Sequence, residues 1–255
     1  MKSIDLNCDM GEMPDAIADG TQEALMAYLT SVNIACGAHA GDDATLRTTI
    51  EQAMRRKLAI GAHPGYADRA NYGRLELDLS GDEIAESVFE QVSKLGEIAA
   101  KCGASVGHVK AHGALYNQAA RDAAVAEAFA DGVGRWRRDV ILVGLAGSVM
   151  LDAFRRARFS VAAEAFADRR YEPNGSLRSR KFADSLILNP ADAAAQALHI
   201  AQAGSVVASD GREIRVEAQT ICIHGDTPGA VKIAAAIGER LKNAGIELSP
   251  LAAAS

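Results

Sequence analysis

A repeated unit constrains the fold of this chain more than any other feature: a short apolar run, a polar turn containing glycine, and an amphipathic helical stretch. The apolar runs lie at 3–8, 32–37, 57–62, 105–111, 140–146, 159–164 and 219–223. Helical patterns are clearest at 43–56, 80–101, 121–136, 191–203 and 228–244, and the first crossover has a weaker one at 20–30. Strands that alternate with helices predict a parallel sheet, because parallel strands need long crossover connections.

The alternation of side chains along the strands predicts that this sheet closes into a barrel. One set of alternate positions is polar, as in Asp5, Asn7 and Asp9 of the first run, and the opposite set is apolar. An open sheet covered by helices would be apolar on both faces, whereas a barrel accommodates converging polar groups in its lumen. We therefore expect one (β/α)7 barrel domain over residues 1–255, a usual length for this architecture, with a small hairpin near 205–217.

Composition excludes several classes of protein. The net charge is -6, from 27 Lys plus Arg against 33 Asp plus Glu, and the absence of a basic run argues against a nucleic-acid partner. The sequence has no apolar leader and no 18-residue apolar stretch, which predicts a cytoplasmic protein without a membrane segment. Its four cysteines form no CxxC pair, and it contains neither GxxxxGK[ST] nor a helix-opening GxGxxG, so no standard ATP cradle is predicted.

Unusual residues cluster where the predicted strands end. Four of the six histidines (His39, His63, His112 and His224) stand within two residues of a glycine at such junctions. A barrel presents these strand ends on one face, where its active sites are built. Because four residues of a strand span about 13 Å, His108 and His112 cannot share a small ligand, and His108 is predicted to be an interior histidine.

Charged residues at the same ends allow two kinds of chemistry. Asp9, His39 and His63 have the composition of a hydrolytic site for a divalent metal, and a carboxylate–histidine pair that activates water is the alternative. Lys110 is either catalytic or part of an ion pair in the lumen. Arg169 and Arg180 suit a bidentate grip on a substrate carboxylate.

Six segments resemble the LamB/YcsF family: IDLNCDMGE (4–12), VNIACGAHAGD (32–42), IGAHPGY (60–66), HVKAHGALYN (108–117), EAFADRRY (164–171) and ICIHGDTPGAV (221–231). The resemblance implies a seven-stranded barrel related to the glycoside hydrolase/deacetylase group. It also implies the opening of 5-oxo-L-proline to L-glutamate with ATP as co-substrate, in a 5-oxoprolinase complex with partner subunits B and C. Lys110-Ala111 replaces the family's usual Lys-Pro, and the loop 175–187 departs from the family pattern in a way that bears on substrate choice.

The family motif, matched position by position, extends the candidate site. It adds Asp5 and Asp42 to the residues considered. The candidate catalytic residues are Asp9, Glu12, His39, His63, Lys110, His112, Glu164, His224 and Asp226. The candidate substrate-binding residues are Asn7, Asn117, Asp168, Arg169, Tyr171 and Arg180.

We hypothesise the following roles for these residues. Asp9 with His39 and His63 activates the attacking water, and Lys110 with His112 stabilises charge on the lactam. Glu164, or Asp226 with His224, passes a proton to the leaving nitrogen. Two other functions remain open: a stand-alone metal-dependent deacetylase or amidase, and a non-catalytic subunit that binds a lactam.

Overall fold

Parallel strands close into a barrel in the computed structural model, which describes residues 2–251. The strands are β1 (Ser3–Met10), β2 (Ser31–Ala35), β3 (Ala59–His63), β4 (Val106–Lys110), β5 (Ile141–Leu145), β6 (Ser160–Phe166), β7 (Ser205–Val207), β8 (Glu213–Arg215), β9 (Thr220–Ile223) and β10 (Glu247–Leu248). Strands β1 to β6 pair in sequence order, β6 pairs with β9, and β9 returns to β1. The predicted seven-stranded barrel is confirmed, and each predicted apolar run overlaps one of its strands.

Two strands lie apart from the barrel wall. Strands β7 and β8 pair antiparallel, with Val206 opposite Ile214, as the predicted hairpin near 205–217 requires. The short β10 pairs with the first residues of β1, where Ser3 lies opposite Glu247.

Helices follow the barrel strands and cover their outer face. They are α1 (Pro14–Ala18), α2 (Thr21–Met26), α3 (Asp43–Arg55), α4 (Gly81–Lys101), α5 (Gly113–Ala119), α6 (Ala123–Trp136), α7 (Val149–Arg156), α8 (Pro190–Ala203) and α9 (Ala230–Asn243). The weak pattern at 20–30 holds only the six-residue α2. Helix α4 begins with a complete capping box between Ser80 and Glu83, which satisfies backbone donors that an uncapped helix leaves unpaired.

The two faces of the strands differ as the alternation predicts. Leu6, Ile34, Val109 and Ile221 are fully buried and belong to the apolar core between strands and helices. Polar side chains occupy the lumen instead. His108 Nε2 lies 2.9 Å from Asn33 Oδ1, which confirms His108 as an interior histidine.

A glycine makes room for that histidine. A Cβ atom placed on Gly61 of β3 would lie 2.1 Å from His108 Nε2, so a side chain at this position cannot coexist with the ring. The lumen is also less uniformly polar than the first and fourth strands indicate. Ile141 and Val143 of β5 lie opposite His108 and Lys110 and pack with Ala162 of β6. The polar groups of the lumen are therefore concentrated on β1, β2 and β4.

Within residues 2–251, no helix is both long enough and apolar enough to span a membrane.

Candidate active site

The carboxyl ends of the barrel strands surround a cavity of about 1070 Å³. Residues from five strand ends line it: Asp9, His63, Lys110, His112, Phe166 and His224. The turn after β1 adds Glu12, and the loop after β6 adds Arg169 and Arg180. The face that sequence reasoning selected is thus the face that carries the cavity.

Two histidines and two carboxylates meet on one side of the cavity. His63 Nε2 lies 3.2 Å from Asp9 Oδ2 and 3.0 Å from His112 Nδ1. Glu12 Oε1 lies 3.0 Å from His112 Nδ1 and 3.0 Å from His39 Nε2. His39 stacks on His112 with ring centroids 3.9 Å apart, and it lies behind the cavity wall and not on it.

Ionisation states in this cluster follow from burial and from neighbouring charges. Burial alone would raise the pKa of Asp9, but the nearby charges of His63 and Lys110 outweigh it and hold that pKa well below its usual range. The pKa of Glu12 is lowered for the same reason, mainly by His112. Burial lowers the pKa of His39 to about 4, so His39 is neutral near pH 7.

Lys110 forms the floor of the cavity. Its Nζ lies 3.0 Å from Asp9 Oδ1, 2.9 Å from Glu164 Oε1 and 3.2 Å from Cys222 Sγ. Burial favours the neutral amine, but Asp9 and the other negative neighbours overcome that effect and raise the pKa of Lys110 well above its ordinary value. Lys110 is therefore a permanent cation facing the cavity.

Glu164 contacts Lys110 but does not border the cavity. It is fully buried and accepts hydrogen bonds from Asn7 Nδ2 at 3.0 Å and from the Tyr116 hydroxyl at 2.8 Å. The Oδ1 of Asn7 in turn accepts a hydrogen bond from Asn33. Through Glu164 these contacts hold Lys110 in place, and neither Glu164 nor Asn7 borders the cavity.

His224 is oriented by a buried carboxylate on the far side of the cavity. Its Nδ1 lies 2.9 Å from Asp168 Oδ1, and its backbone N–H donates to Asp168 Oδ2. The Thr227 hydroxyl donates to the same oxygen at 2.8 Å. Burial alone would raise the pKa of Asp168, but the charge and hydrogen bonds of His224 lower it, so Asp168 is an anion that fixes the imidazole.

Arginines and one aspartate stand at the mouth of the cavity. Asp226 Oδ2 pairs with Arg74 at 2.6 Å and with Arg180 at 3.0 Å. Arg169 is largely buried, donates from Nη2 to the Arg178 carbonyl at 2.6 Å, and has a buried Nε without a partner among the described residues. Burial, with help from the charge of Arg180, lowers the pKa of Arg169 to about 10. Arg169 therefore has unused capacity for an anion.

The candidates thus separate into two groups. On the cavity wall lie Asp9, Glu12, His63, Lys110, His112, Asn117, Arg169, Arg180, His224 and Asp226. Away from the wall lie Asp5, Asn7, His39, Asp42, Glu164, Asp168 and Tyr171. Asp42 caps helix α3, and the Tyr171 oxygen accepts a hydrogen bond from the backbone N–H of Phe166.

The predicted metal set is only partly brought together. Asp9 and His63 converge with His112, whereas His39 converges with Glu12 and His112. Each of these two groups combines one carboxylate with two imidazoles, and His112 is common to both.

Three residues that contact the candidate site residues were not themselves among the candidates: Tyr116, Cys222 and Arg74. Cys222 lies two positions before His224 on β9, so alternation along the strand would have placed it in the lumen. Tyr116 lies on α5, a helix that the sequence pattern did not mark clearly. Arg74 lies in the irregular segment after β3, where the sequence has no periodicity from which the direction of a side chain could be predicted.

Together, the barrel and the carboxylates, imidazoles and amine at its carboxyl-terminal mouth define a class: a (β/α) barrel with a site equipped for acid–base chemistry. Comparison of the sequence with known families makes this class specific. The chain belongs to the LamB/YcsF family, whose sequence pattern matches residues 4–255.

Individual relatives match over nearly their whole length. The chain is 47% identical to a 5-oxoprolinase subunit of Chloroflexus aggregans over 246 residues, covering 96% of this chain and 98% of the relative. It is 43% identical to the corresponding 5-oxoprolinase subunit of Agrobacterium fabrum, covering 99% of both. The crystal structure of the lactam utilization protein from Thermus thermophilus superimposes with a TM-score of 0.90 at 37% identity, covering 98% of this chain and 100% of that one.

Proposed function

We propose that this chain is the subunit of an ATP-dependent 5-oxoprolinase that hydrolyses the lactam of 5-oxo-L-proline to L-glutamate, with phosphorylation supplied together with partner subunits B and C. One observation carries the proposal: a single cavity combines the cation Lys110, the Asp9–His63 pair and the underused Arg169. A lactam with a carboxylate substituent needs these three kinds of group. The names of the relatives, 5-oxoprolinase subunits and a lactam utilization protein, support the choice of substrate.

Arg169 binds the substrate carboxylate in this proposal. Its guanidinium borders the cavity, and its Nε is buried without a partner among the described residues. A buried guanidinium gains a charge-assisted hydrogen bond when an anion arrives, and that interaction fixes orientation as well as affinity. Arg180 is less suitable because Asp226 already occupies it at 3.0 Å.

Lys110 stabilises the charge that develops on the lactam oxygen. Its ammonium group is held by Asp9 and Glu164 before substrate binds, so no reorganisation is needed when the carbonyl becomes tetrahedral. The same cation would interact with a phosphorylated lactam oxygen. An unstrained amide resists attack, and phosphorylation of its oxygen makes the carbon electrophilic, which is the reason for coupling to ATP.

Asp9 and His63 activate the attacking water. His63 is fixed because its Nδ1 donates to the Lys110 carbonyl at 2.9 Å, which leaves Nε2 as the nitrogen directed toward Asp9. A water held by these two groups loses a proton to them as its oxygen bonds to the lactam carbon. The C–N bond then breaks, and His224, oriented by Asp168, gives a proton to the departing nitrogen. Where the lactam oxygen is phosphorylated, this step leaves an acyl phosphate, and a second water releases inorganic phosphate from it to give L-glutamate.

The test is formation of L-glutamate by the chain mixed with its two partner subunits, with and without ATP. We expect ATP-dependent glutamate from the native chain and a loss of at least about 100-fold in an Asp9→Asn variant, a usual scale for removing an acid–base group. Asp152→Asn is the matched control, because Asp152 is exposed on α7 and, among residues 2–251, pairs only with Arg155.

Two results would redirect the assignment. If folded Asp9→Asn turns over at the native rate while the chain still binds the lactam, then the subunit binds lactam without catalysing its hydrolysis. If the chain alone hydrolyses a small amide without ATP, then the stand-alone amidase is the better description.

A further inference from the structure

Two imidazoles in the cavity wall direct lone pairs at each other. His63 Nδ1 lies 2.9 Å from the Lys110 carbonyl, and His112 Nε2 lies 2.8 Å from the Tyr72 carbonyl. A carbonyl only accepts, so both of these ring nitrogens carry hydrogen, and in the neutral ring the other nitrogen is an acceptor. Those acceptors, His63 Nε2 and His112 Nδ1, are 3.0 Å apart. A positive species must lie at or between them.

Carboxylate oxygens approach the same point. Asp9 Oδ2 is 3.2 Å from His63 Nε2, and Glu12 Oε1 is 3.0 Å from His112 Nδ1. The donor atoms of Asp9, His63 and His112 all lie within 4.8 Å of one another. Ligands of a tetrahedral ion with metal–nitrogen bonds near 2.05 Å are about 3.3 Å apart, so these separations resemble the edges of a coordination shell.

The charges of the surrounding side chains also favour a positive species at this point. Asp9 and Glu164 contact the cation Lys110, and a third carboxylate, Glu12, contacts His112. Imidazoles that bind a metal are neutral, and with His63 and His112 in that state these groups carry two excess negative charges. Burying uncompensated charge is costly, and one divalent cation would balance the two charges.

We propose that the chain binds one divalent transition-metal ion of the zinc type through Asp9 Oδ2, His63 Nε2 and His112 Nδ1. Two imidazoles and a carboxylate suit such an ion and leave a coordination position open. The carbonyls of Lys110 and Tyr72 are the outer partners that hold each ring in its ligating tautomer. The set differs from the one that the sequence favoured, because His112 replaces His39.

The backbone at Tyr72 supports this choice. Tyr72 adopts φ 54°, a left-handed conformation that a non-glycine residue rarely takes, and its carbonyl accepts the hydrogen bond of His112. His39 has no such arrangement: its Nε2 faces Glu12, and its Nδ1 has no partner among the described residues. The hydrogen of neutral His39 therefore lies on Nε2, where it is donated to the Glu12 carboxylate, so this nitrogen is not free to bind an ion. His39 instead stacks on His112 and holds Glu12.

With the ion bound, Asp9 and His63 would hold the attacking water through the metal, which would lower the pKa of that water, in place of taking its proton themselves. That role alone rests on the proposed hydrolysis. Binding itself is testable without turnover. The full chain is stripped with a chelator, dialysed, and titrated with Zn²⁺ by calorimetry and with Co²⁺ by visible absorption, which reports the ligand field directly. We expect one equivalent of each ion and a Co²⁺ spectrum typical of low-coordinate nitrogen and oxygen ligation.

Histidine variants of matched size decide which rings bind. We expect His63→Gln and His112→Gln to weaken Zn²⁺ binding by on the order of 100-fold or more, since a lost ligand exceeds the 10–100-fold effect of a lost outer partner. His39→Gln should retain one equivalent within about tenfold of the native affinity. His108→Gln, another buried histidine of the same lumen, is the control for folding and should bind as the native chain does.

The proposal is overturned if the stripped chain takes up no stoichiometric metal, because a proton shared by the two imidazoles then explains their approach. It is also overturned if folded His112→Gln binds normally while His39→Gln does not. Failure of the proposed function is a separate outcome: the chain binds metal, but no glutamate forms with the partner subunits and ATP.

Discussion

Replacing Glu164 by glutamine tests the claim that this carboxylate exists to hold Lys110. Glu164 is fully buried, 2.9 Å from Lys110 Nζ, and accepts hydrogen bonds from Asn7 and Tyr116. Glutamine keeps the size but removes the charge, and its amide N–H2 meets groups that all donate. Removing one member of a buried ion pair costs about 3–5 kcal/mol, and because Asp9 still contacts Lys110, we expect the lower end, about 3 kcal/mol.

The assay is urea unfolding of the isolated chain, with a thermal melt beside it. A loss of about 3 kcal/mol should lower Tm by roughly 6–12 °C in a protein of this size, with an unchanged denaturant slope. Glu86→Gln is the matched control: Glu86 pairs with Arg135 at 3.0 Å, nearly the same separation, but both side chains are exposed. Because exposed pairs contribute little, this control should leave the midpoint unchanged.

A double variant separates the ion pair from loss of packing. Lys110→Met combined with Glu164→Gln removes both charges, so its loss of stability should be smaller than the sum of the single losses by about 1–3 kcal/mol. The reasoning is refuted if Glu164→Gln unfolds within about 1 kcal/mol of the native chain at the same slope, or if the two losses simply add.

Three further substitutions test other parts of the site. Gly113→Ala adds a Cβ 2.6 Å from the Gly73 carbonyl at φ +55°, so it should lower stability by about 1–3 kcal/mol more than Gly147→Ala, where φ is +76° and the space is open; equal melts would contradict this. Arg169→Met should raise KM for 5-oxo-L-proline in the assembled enzyme by about 10–100-fold with a smaller effect on kcat, and an unchanged KM would remove Arg169 from the substrate. Burial lowers the pKa of His108 from 6.5 to about 4, so between these pH values the unfolded chain binds a proton at His108 and the folded chain does not. The free energy of unfolding therefore decreases as the pH falls from 6.5 to 4. His108→Gln should remove up to roughly 3 kcal/mol of that acid sensitivity in urea unfolding, and an equal slope with pH in both proteins would contradict it.

The sequence was most informative where a local pattern decides structure. Each predicted strand overlaps an observed one, because a short apolar run between polar turns is typical of a buried strand. Side-chain alternation along β1 and β4 placed Asn7, Asp9, His108 and Lys110 in the lumen. The Ser80 capping box marked the start of α4 to the residue.

The sequence was least informative about which lumen residues border the cavity. Glu164 and Lys110 both face the lumen, but only Lys110 borders the cavity. Counting residues along the strands does not separate them, because Val143, the partner of Lys110, pairs with Ala162, two residues before Glu164; their relative position in the lumen depends on the stagger between strands. Strand stagger is a property of the closed barrel and leaves no mark in the sequence of any one strand.

The choice between His39 and His112 shows why loops resist the same reasoning. Both histidines stand within two residues of a glycine at a strand end, so the local sequence does not distinguish them. What distinguishes them is the Tyr72 carbonyl, which reaches His112 from a left-handed turn in a different loop. Whether a histidine can bind a metal depends on the hydrogen-bond partner of its second ring nitrogen as well as on its own position. The chemistry of this site therefore depends on a backbone conformation, at a residue that no search for acids, bases or metal ligands would select.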